Sequence, residues 1–84
     1  MKIGGRQLAA ARTLLGWSQD RLAEAADLSR QALLRWENDQ TAPHEATIQR
    51  VVQVIEAAGV EFTNGDQPGV RFKKRPTESG RSAD

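Results

Sequence analysis

Three side chains with strong hydrogen-bonding capacity, Arg30, Gln31 and Arg35, follow closely after Ser29. Arginine can donate two parallel hydrogen bonds to O6 and N7 of guanine, and glutamine can pair in the same way with N6 and N7 of adenine. Leu34, in the same segment, offers an apolar contact to a thymine methyl group. The segment therefore has the chemistry needed to contact base edges in the major groove of DNA.

Each of these side chains also has a simpler explanation. Arg30 and Arg35 can be solvated surface charges, and Gln31 can be a plain amide on a helix. Leu34 can equally pack at a helix edge, and a lone exposed histidine such as His44 usually has no special role. The surrounding elements decide between these explanations, because a binding surface needs its side chains on one exposed face.

The segment 18–38 predicts two short helices joined by a tight turn. Ser18 caps the first, which ends near Ala26, and Ser29 caps the second, which ends near Glu37. Asp27 lies in the turn, where aspartate is one of the few residues that tolerate the left-handed conformation. This is the helix-turn-helix unit with which small proteins place one helix in the major groove.

One further helix is predicted on each side of this unit. The first runs from about Arg6 to Leu15, and Gly16 ends it. The second starts at 43–45 and reaches Ala58, with more apolar positions than one small core needs. We therefore expect it to contribute to a dimer interface. The candidates for that interface are Val51, Val54 and Ile55.

The pattern changes after Gly59. Residues 60–62 and 70–72 alternate between apolar and polar side chains around turn residues, which predicts a hairpin or paired edge strands, within or between chains. A basic run follows at Arg71, Lys73, Lys74 and Arg75, either as a solvated tail or as an arm that adds non-specific affinity for DNA. From Pro76 the chain is polar and predicted to be disordered. These shifts divide the chain into a helix-turn-helix domain (1–59), a β and dimerisation extension (60–75) and a tail (76–84).

Residues 6–58 resemble the phage repressor and Cro type of helix-turn-helix domain, the Xre-like family. The matching residues are Arg12, Leu15-Gly16-Trp17-Ser18-Gln19, Leu22-Ala23, Ala26, Leu28-Ser29, Leu33, Trp36-Glu37-Asn38 and Pro43. The resemblance implies an all-α, compact four- to five-helix lambda-repressor-like DNA-binding domain, here with a short C-terminal β hairpin or strand extension. The family commonly has glycine where this chain has Asp27 and Asp39, so we expect a retained fold with slightly strained turns.

The same resemblance implies roles for individual residues. Gln19 corresponds to a glutamine near a DNA phosphate, and Arg12 and Glu37 to an ion pair between the first and third helices. Trp17 and Trp36 are expected in the core. The predicted DNA-binding residues are Gln19, Ser29, Arg30, Gln31, Leu34, Arg35, Asn38, Thr41 and His44.

Composition excludes several other classes of protein. The 84 residues contain one histidine and no cysteine, and the formal net charge is only +1. No phosphate loop, catalytic constellation or metal-ligand spacing is visible, so we expect neither an enzyme nor a cofactor. No apolar run approaches the roughly 18 residues needed to span a bilayer, and no signal peptide is evident, so we expect no membrane partner and a cytoplasmic location.

These observations predict a sequence-specific DNA-binding transcriptional regulator that acts as a homodimer on double-stranded DNA. Two recognition helices would read an inverted repeat with half-sites about 34 Å apart. Such a protein represses by occluding a promoter or activates by contacting RNA polymerase. Two alternatives remain at this stage. One is an antitoxin whose residues 60–84 order on a toxin, and the other is a protein-interaction module that has lost DNA binding.

Overall fold

Four helices and one antiparallel hairpin form the part of the chain, residues 2–64 and 68–73, that the computed structural model describes. The predicted tail from Pro76 and two members of the basic run, Lys74 and Arg75, lie outside the described residues. The elements are α1 (Gly5–Leu15), α2 (Gln19–Ala25), α3 (Arg30–Glu37), α4 (Glu45–Ala57), β1 (Val60–Thr63) and β2 (Gly69–Phe72). The predicted helices are confirmed to within about a residue at each end.

The fold is not strictly all-α, because the hairpin contributes to the core. Val60 is fully buried and Phe62 is nearly so, and both lie in one apolar cluster with Leu8 of α1 and Ile55 of α4. The described residues contain four helices, the lower of the two numbers expected. A two-stranded hairpin is only marginally stable by itself in water, and here it is covered by α1 and α4.

The strands pair within the chain, which answers the question that the sequence left open. They are antiparallel, with Val60 opposite Phe72 and Phe62 opposite Val70. The amide of Gln7, a buried polar side chain, fixes the hairpin to α1. Its Nε2 atom lies within hydrogen-bond distance of three acceptors, Thr63 O and Gly69 O, both at 3.0 Å, and Asn64 Oδ1 at 3.1 Å, which share its two protons. Since Thr63 belongs to β1 and Gly69 to β2, one side chain holds both strands.

The prediction of a dimer interface on α4 is wrong in part. Val51 and Ile55 are fully buried in the core of their own chain and cannot contact a partner. Val54 is half-buried and packs against that core. The surplus of apolar residues on α4 arises because strand β1 of the hairpin packs against this helix.

Three consecutive helices end with the same backbone motif. Each has one residue in the left-handed region, Gly16 (φ 71°), Asp27 (φ 57°) and Asp39 (φ 59°). The next amide donates back into the helix, as in the 2.8 Å bond from Leu28 N to Ala23 O. Aspartate adopts the glycine-like conformation at both departures from the family pattern, as expected.

The two aspartates differ in what their side chains do. Asp39 Oδ1 accepts a hydrogen bond of 2.9 Å from the backbone N–H of Gly5 and so caps the start of α1. Gly4, the N-cap residue of α1, has no side chain that could supply such a bond. The Asp27 carboxylate is exposed and makes no hydrogen bond within 2–64 and 68–73.

We predict that Asp27→Gly and Asp39→Gly change stability differently. Both remove the strain of a left-handed aspartate, so Asp27→Gly is expected to raise the free energy of unfolding by about 0.5 kcal/mol. Asp39→Gly also removes the cap of α1 and should be less stable than Asp27→Gly by about 1 kcal/mol. Urea denaturation of both variants measures that difference, and equal midpoints would contradict the capping role of Asp39.

Candidate nucleic-acid interface

Serine caps begin both helices of the helix-turn-helix unit. Ser18 Oγ accepts a hydrogen bond from Arg21 N at 3.0 Å, and Ser29 Oγ accepts one from Ala32 N at 3.0 Å. Each bond satisfies a backbone donor that the first turn of a helix leaves unpaired. Because a hydroxyl also carries a proton, Ser29 can still donate to an outside acceptor such as a phosphate oxygen.

Helix α3 has one buried and one exposed face. Leu33 and Trp36 anchor it in the core. The Nε1 atom of Trp36 also donates to Ile3 O at 3.0 Å, which ties the N-terminal segment to this helix. The opposite face is open to solvent and carries the four predicted base-contacting side chains, Arg30, Gln31, Leu34 and Arg35.

The predicted ion pair between Arg12 and Glu37 is confirmed. Arg12 Nε donates to Glu37 Oε2 at 2.8 Å, and Arg12 Nη2 donates to Glu37 Oε1 at 3.1 Å. The side chains are 19% and 6% exposed, respectively, so the pair is largely shielded from water. A further bond of 3.0 Å from Arg12 Nη1 to Trp17 O joins the end of α1 to the same network. The C-terminal end of α3 is thus fixed to α1.

Gln19, predicted to contact a phosphate, belongs to this network. Its Nε2 atom donates to Glu37 Oε1 at 3.2 Å, and the side chain is half-buried. An amide nitrogen carries two protons, so Gln19 can donate the second one to a phosphate. The bond to Glu37 sets the direction of that side chain at the start of α2.

A second contact joins the start of α2 to the start of α3. Arg30 Nε lies 3.5 Å from Asp20 Oδ1, and both side chains are well exposed. The first two residues of α2 thus reach opposite ends of α3, Gln19 toward Glu37 and Asp20 toward Arg30. Helix α2 therefore begins beside α3, and the two contacts flank the exposed face of α3.

The loop after α3 forms a shallow cavity of about 270 Å³ beside that face. Arg35, Thr41 and His44 all line it, so three of the predicted site residues come together. Asn38 is exposed at the C-cap of α3, where the loop begins. His44 is the N-cap residue of α4, but its side chain makes no capping bond. Its ring is therefore not committed to capping the helix.

The prediction for Trp17 needs a correction, whereas that for Trp36 is confirmed. Trp17 is only half-buried and packs at the margin of the core. The guanidinium of Arg21 lies over its ring, 4.9 Å from the centroid, in a cation–π contact. The Trp17 ring thus contacts both the core and a cation of α2.

Sequence reasoning missed two side chains near this site. The sequence places Asp20 in the first turn of α2, where an acidic residue complements the helix dipole, but it does not indicate that the carboxylate lies against Arg30. The family pattern marked Asp39 as a departure, but gave no sign that its side chain caps α1. Both contacts join residues of different elements, and neither element's own pattern indicates the partner.

Comparison with protein families gives a match that covers most of the unit just described. A family model described as helix-turn-helix matches residues 8–60. Comparison with curated proteins gives no match. The matched range begins within α1 and ends at the first residue of β1. Within the part of the chain that the structure describes, no cluster of acidic, histidine or cysteine side chains is arranged for a metal, and no helix could cross a membrane.

Proposed function

Because the chain belongs to the Xre/Cro type of helix-turn-helix proteins, a family of DNA-binding regulators rather than enzymes, we propose that it is a sequence-specific transcriptional regulator. It binds an inverted-repeat operator as a homodimer, with the exposed face of α3 in the major groove. It represses by occluding a promoter or activates by contacting RNA polymerase from an adjacent site. Since its target is DNA, it acts in the cytoplasm.

The main support is the exposed face of α3, which carries two arginines and a glutamine on a helix anchored at both ends. Arg30, Gln31 and Arg35 have the donor groups for guanine and adenine edges. The Ser29 cap fixes the start of this helix, and the pairing of Glu37 with Arg12 fixes its end. A helix held in this way presents side chains in a defined register, which sequence recognition requires.

Residues around α3 supply the contacts that position the protein without reading sequence. Gln19 and Ser29 lie at helix starts, where backbone donors and the helix dipole favour a phosphate. Asn38, Thr41 and His44 follow α3 and contact the DNA backbone at the C-terminal end of this helix. Thr41 and His44 line the same cavity as Arg35, and Asn38 is the C-cap of α3. Phosphate contacts of this kind set register, and base contacts give specificity.

The dimer uses a surface other than the buried face of α4. Among the apolar positions still accessible are Val54, which is half-buried, and Phe72, which is 63% exposed at the end of β2. In the described sheet each strand has one paired and one free edge. A protected footprint with two half-sites about 34 Å apart is the expected signature of the dimer. Protection of a single half-site would contradict it.

The antitoxin alternative gains no support from the described residues. It requires the C-terminal segment to order on a toxin, whereas the described part of that segment is a hairpin within the chain's own core. The interaction-module alternative leaves the exposed Arg30 and Arg35 without a role.

We predict that Arg35→Ala weakens binding to the DNA sequence that the wild-type protein prefers by about ten- to a hundred-fold. The reason is that a good base contact contributes roughly 1–3 kcal/mol. The sequence is obtained by selection from a random duplex library with the wild-type protein, and affinity is measured by fluorescence anisotropy. The matched control is Arg50→Ala, since Arg50 is an exposed arginine of α4. Equal losses in both variants would leave only a general charge effect and contradict the role of α3.

A further inference from the structure

The contact between Asp20 and Arg30 contributes little to folding. Their atoms are 3.5 Å apart, and the side chains are 74% and 68% exposed, so water screens the attraction. Exposed ion pairs of this kind contribute little measurable stability. The position of the pair is more informative, because Arg30 is the first residue of α3 and lies on the face proposed to read DNA.

We propose that Asp20 is a positioning residue for Arg30 and increases the discrimination of the protein between its own DNA sequence and other DNA. This inference rests on the proposed function. The carboxylate lies nearest to Arg30 Nε. The two terminal nitrogens of the guanidinium, which form the fork that pairs with guanine, therefore remain available to a base.

The attraction between the two charges increases when DNA covers the pair. Contact with DNA excludes water from the interface, and the attraction between two charges rises as the surrounding dielectric constant falls. An arginine already directed by a carboxylate also loses less conformational freedom on binding a base. Both effects favour the one arrangement in which Arg30 meets its base.

Asp20 also weakens binding to DNA of other sequences. An unpaired arginine binds any phosphate oxygen, which adds affinity for all DNA. The carboxylate offers Arg30 a competing anion and repels phosphates that approach this end of α3. The formal net charge of only +1 agrees with a protein whose affinity does not depend on a large positive surface.

The test compares Asp20→Asn with Glu24→Gln. Each variant removes one exposed negative charge from α2, but Glu24 makes no ion pair with Arg30 in the described chain. Affinities are measured by anisotropy for the duplex selected by the wild-type protein and for a scrambled duplex of the same composition. We expect Asp20→Asn to lower the ratio of the two affinities by about tenfold. Binding to the selected duplex weakens as a base contact is partly lost, and binding to the scrambled duplex tightens because Arg30 can then bind phosphate. Glu24→Gln should leave the ratio nearly unchanged.

Two further variants separate positioning from a structural role. Asp20→Glu keeps the negative charge and should retain most of the wild-type affinity ratio. Asp20→Asn should not alter that ratio when Arg30 is already alanine. A role limited to the dipole of α2 predicts a lower melting temperature for Asp20→Asn and an unchanged ratio, which would overturn the inference. An equal change in Glu24→Gln would also overturn it. If the wild-type protein itself prefers neither duplex, the proposed function fails, and that result is distinct from loss of the role of Asp20 alone.

Discussion

Replacing Glu37 with alanine is expected to lower the free energy of unfolding by about 3–5 kcal/mol, the cost of breaking a buried ion pair. The Glu37 side chain is only 6% exposed and accepts two hydrogen bonds from Arg12 and one from Gln19. Without the carboxylate, a shielded guanidinium loses its counter-charge. It retains only the bond to Trp17 O, and the Gln19 amide loses its acceptor.

The exposed pair of Arg71 and Glu61 provides a matched control. Arg71 Nε lies 2.9 Å from Glu61 Oε1, nearly the same distance as in the shielded pair, but the two side chains are 68% and 30% exposed. Glu61→Ala is therefore expected to change stability by no more than about 1 kcal/mol. Chemical denaturation of both variants tests the role of burial, and similar losses would show that the shielding of Glu37 has no energetic consequence.

A double variant distinguishes the loss of the ion pair from the cost of leaving Arg12 buried without its counter-charge. Arg12→Met combined with Glu37→Met removes both charges and fills the space with apolar atoms. Because a buried ion pair is often no more stable than apolar residues of similar size, the double variant should be more stable than Glu37→Ala. Gln19 would still lack its acceptor, so we expect weaker DNA binding even in a folded double variant. An equal loss of stability in both variants would show that packing, rather than charge, accounts for the effect.

The local features of the fold could be predicted from the sequence because each depends on residues close together in the chain. A serine directly before an apolar helical repeat is a good candidate for an N-cap. Ser18 and Ser29 both stand in that position, and both form the expected bonds. Gly16 ends α1 by the backbone conformation that glycine readily adopts. The ion pair of Arg12 and Glu37 came from the family resemblance, which carries information about spatial neighbours that spacing alone lacks.

The incorrect prediction for α4 concerns what covers a residue, not whether it is buried. The apolar pattern of α4 indicated correctly that Val51 and Ile55 avoid water, but it could not show that the chain's own core covers them. Hydrophobic burial is non-directional, so the same side chain serves a core or an interface. The contact of Asp20 with Arg30 likewise requires the relative placement of two helices, which neither helix encodes by itself.

Adding one methyl group at Gly5 is expected to destabilise the fold by about 3 kcal/mol, the upper end of the usual range for overpacking. A Cβ atom at this position would lie against Trp36 O, 2.5 Å from Glu37 O and 2.8 Å from Asp39 Oδ1. Two of these atoms belong to the backbone of α3 and cannot rotate away. The higher helix propensity of alanine offsets only about 1 kcal/mol of this loss.

Gly4→Ala is the matched control for Gly5→Ala, because the two glycines are adjacent and differ mainly in their surroundings. A Cβ atom at Gly4 would meet nothing within 4 Å, and the backbone there (φ −76°, ψ 162°) is one that alanine adopts readily. We expect Gly4→Ala to change the free energy of unfolding by less than about 0.5 kcal/mol. Thermal and urea denaturation of the two variants give the comparison, and equal stabilities would contradict the close approach of α1 to α3. Glu37 and Asp39 both lie where α1 approaches α3, so a displaced α1 would also disturb the ion pair with Arg12 and the cap of α1. Gly5→Ala should therefore weaken DNA binding, although it alters no residue of the exposed face of α3.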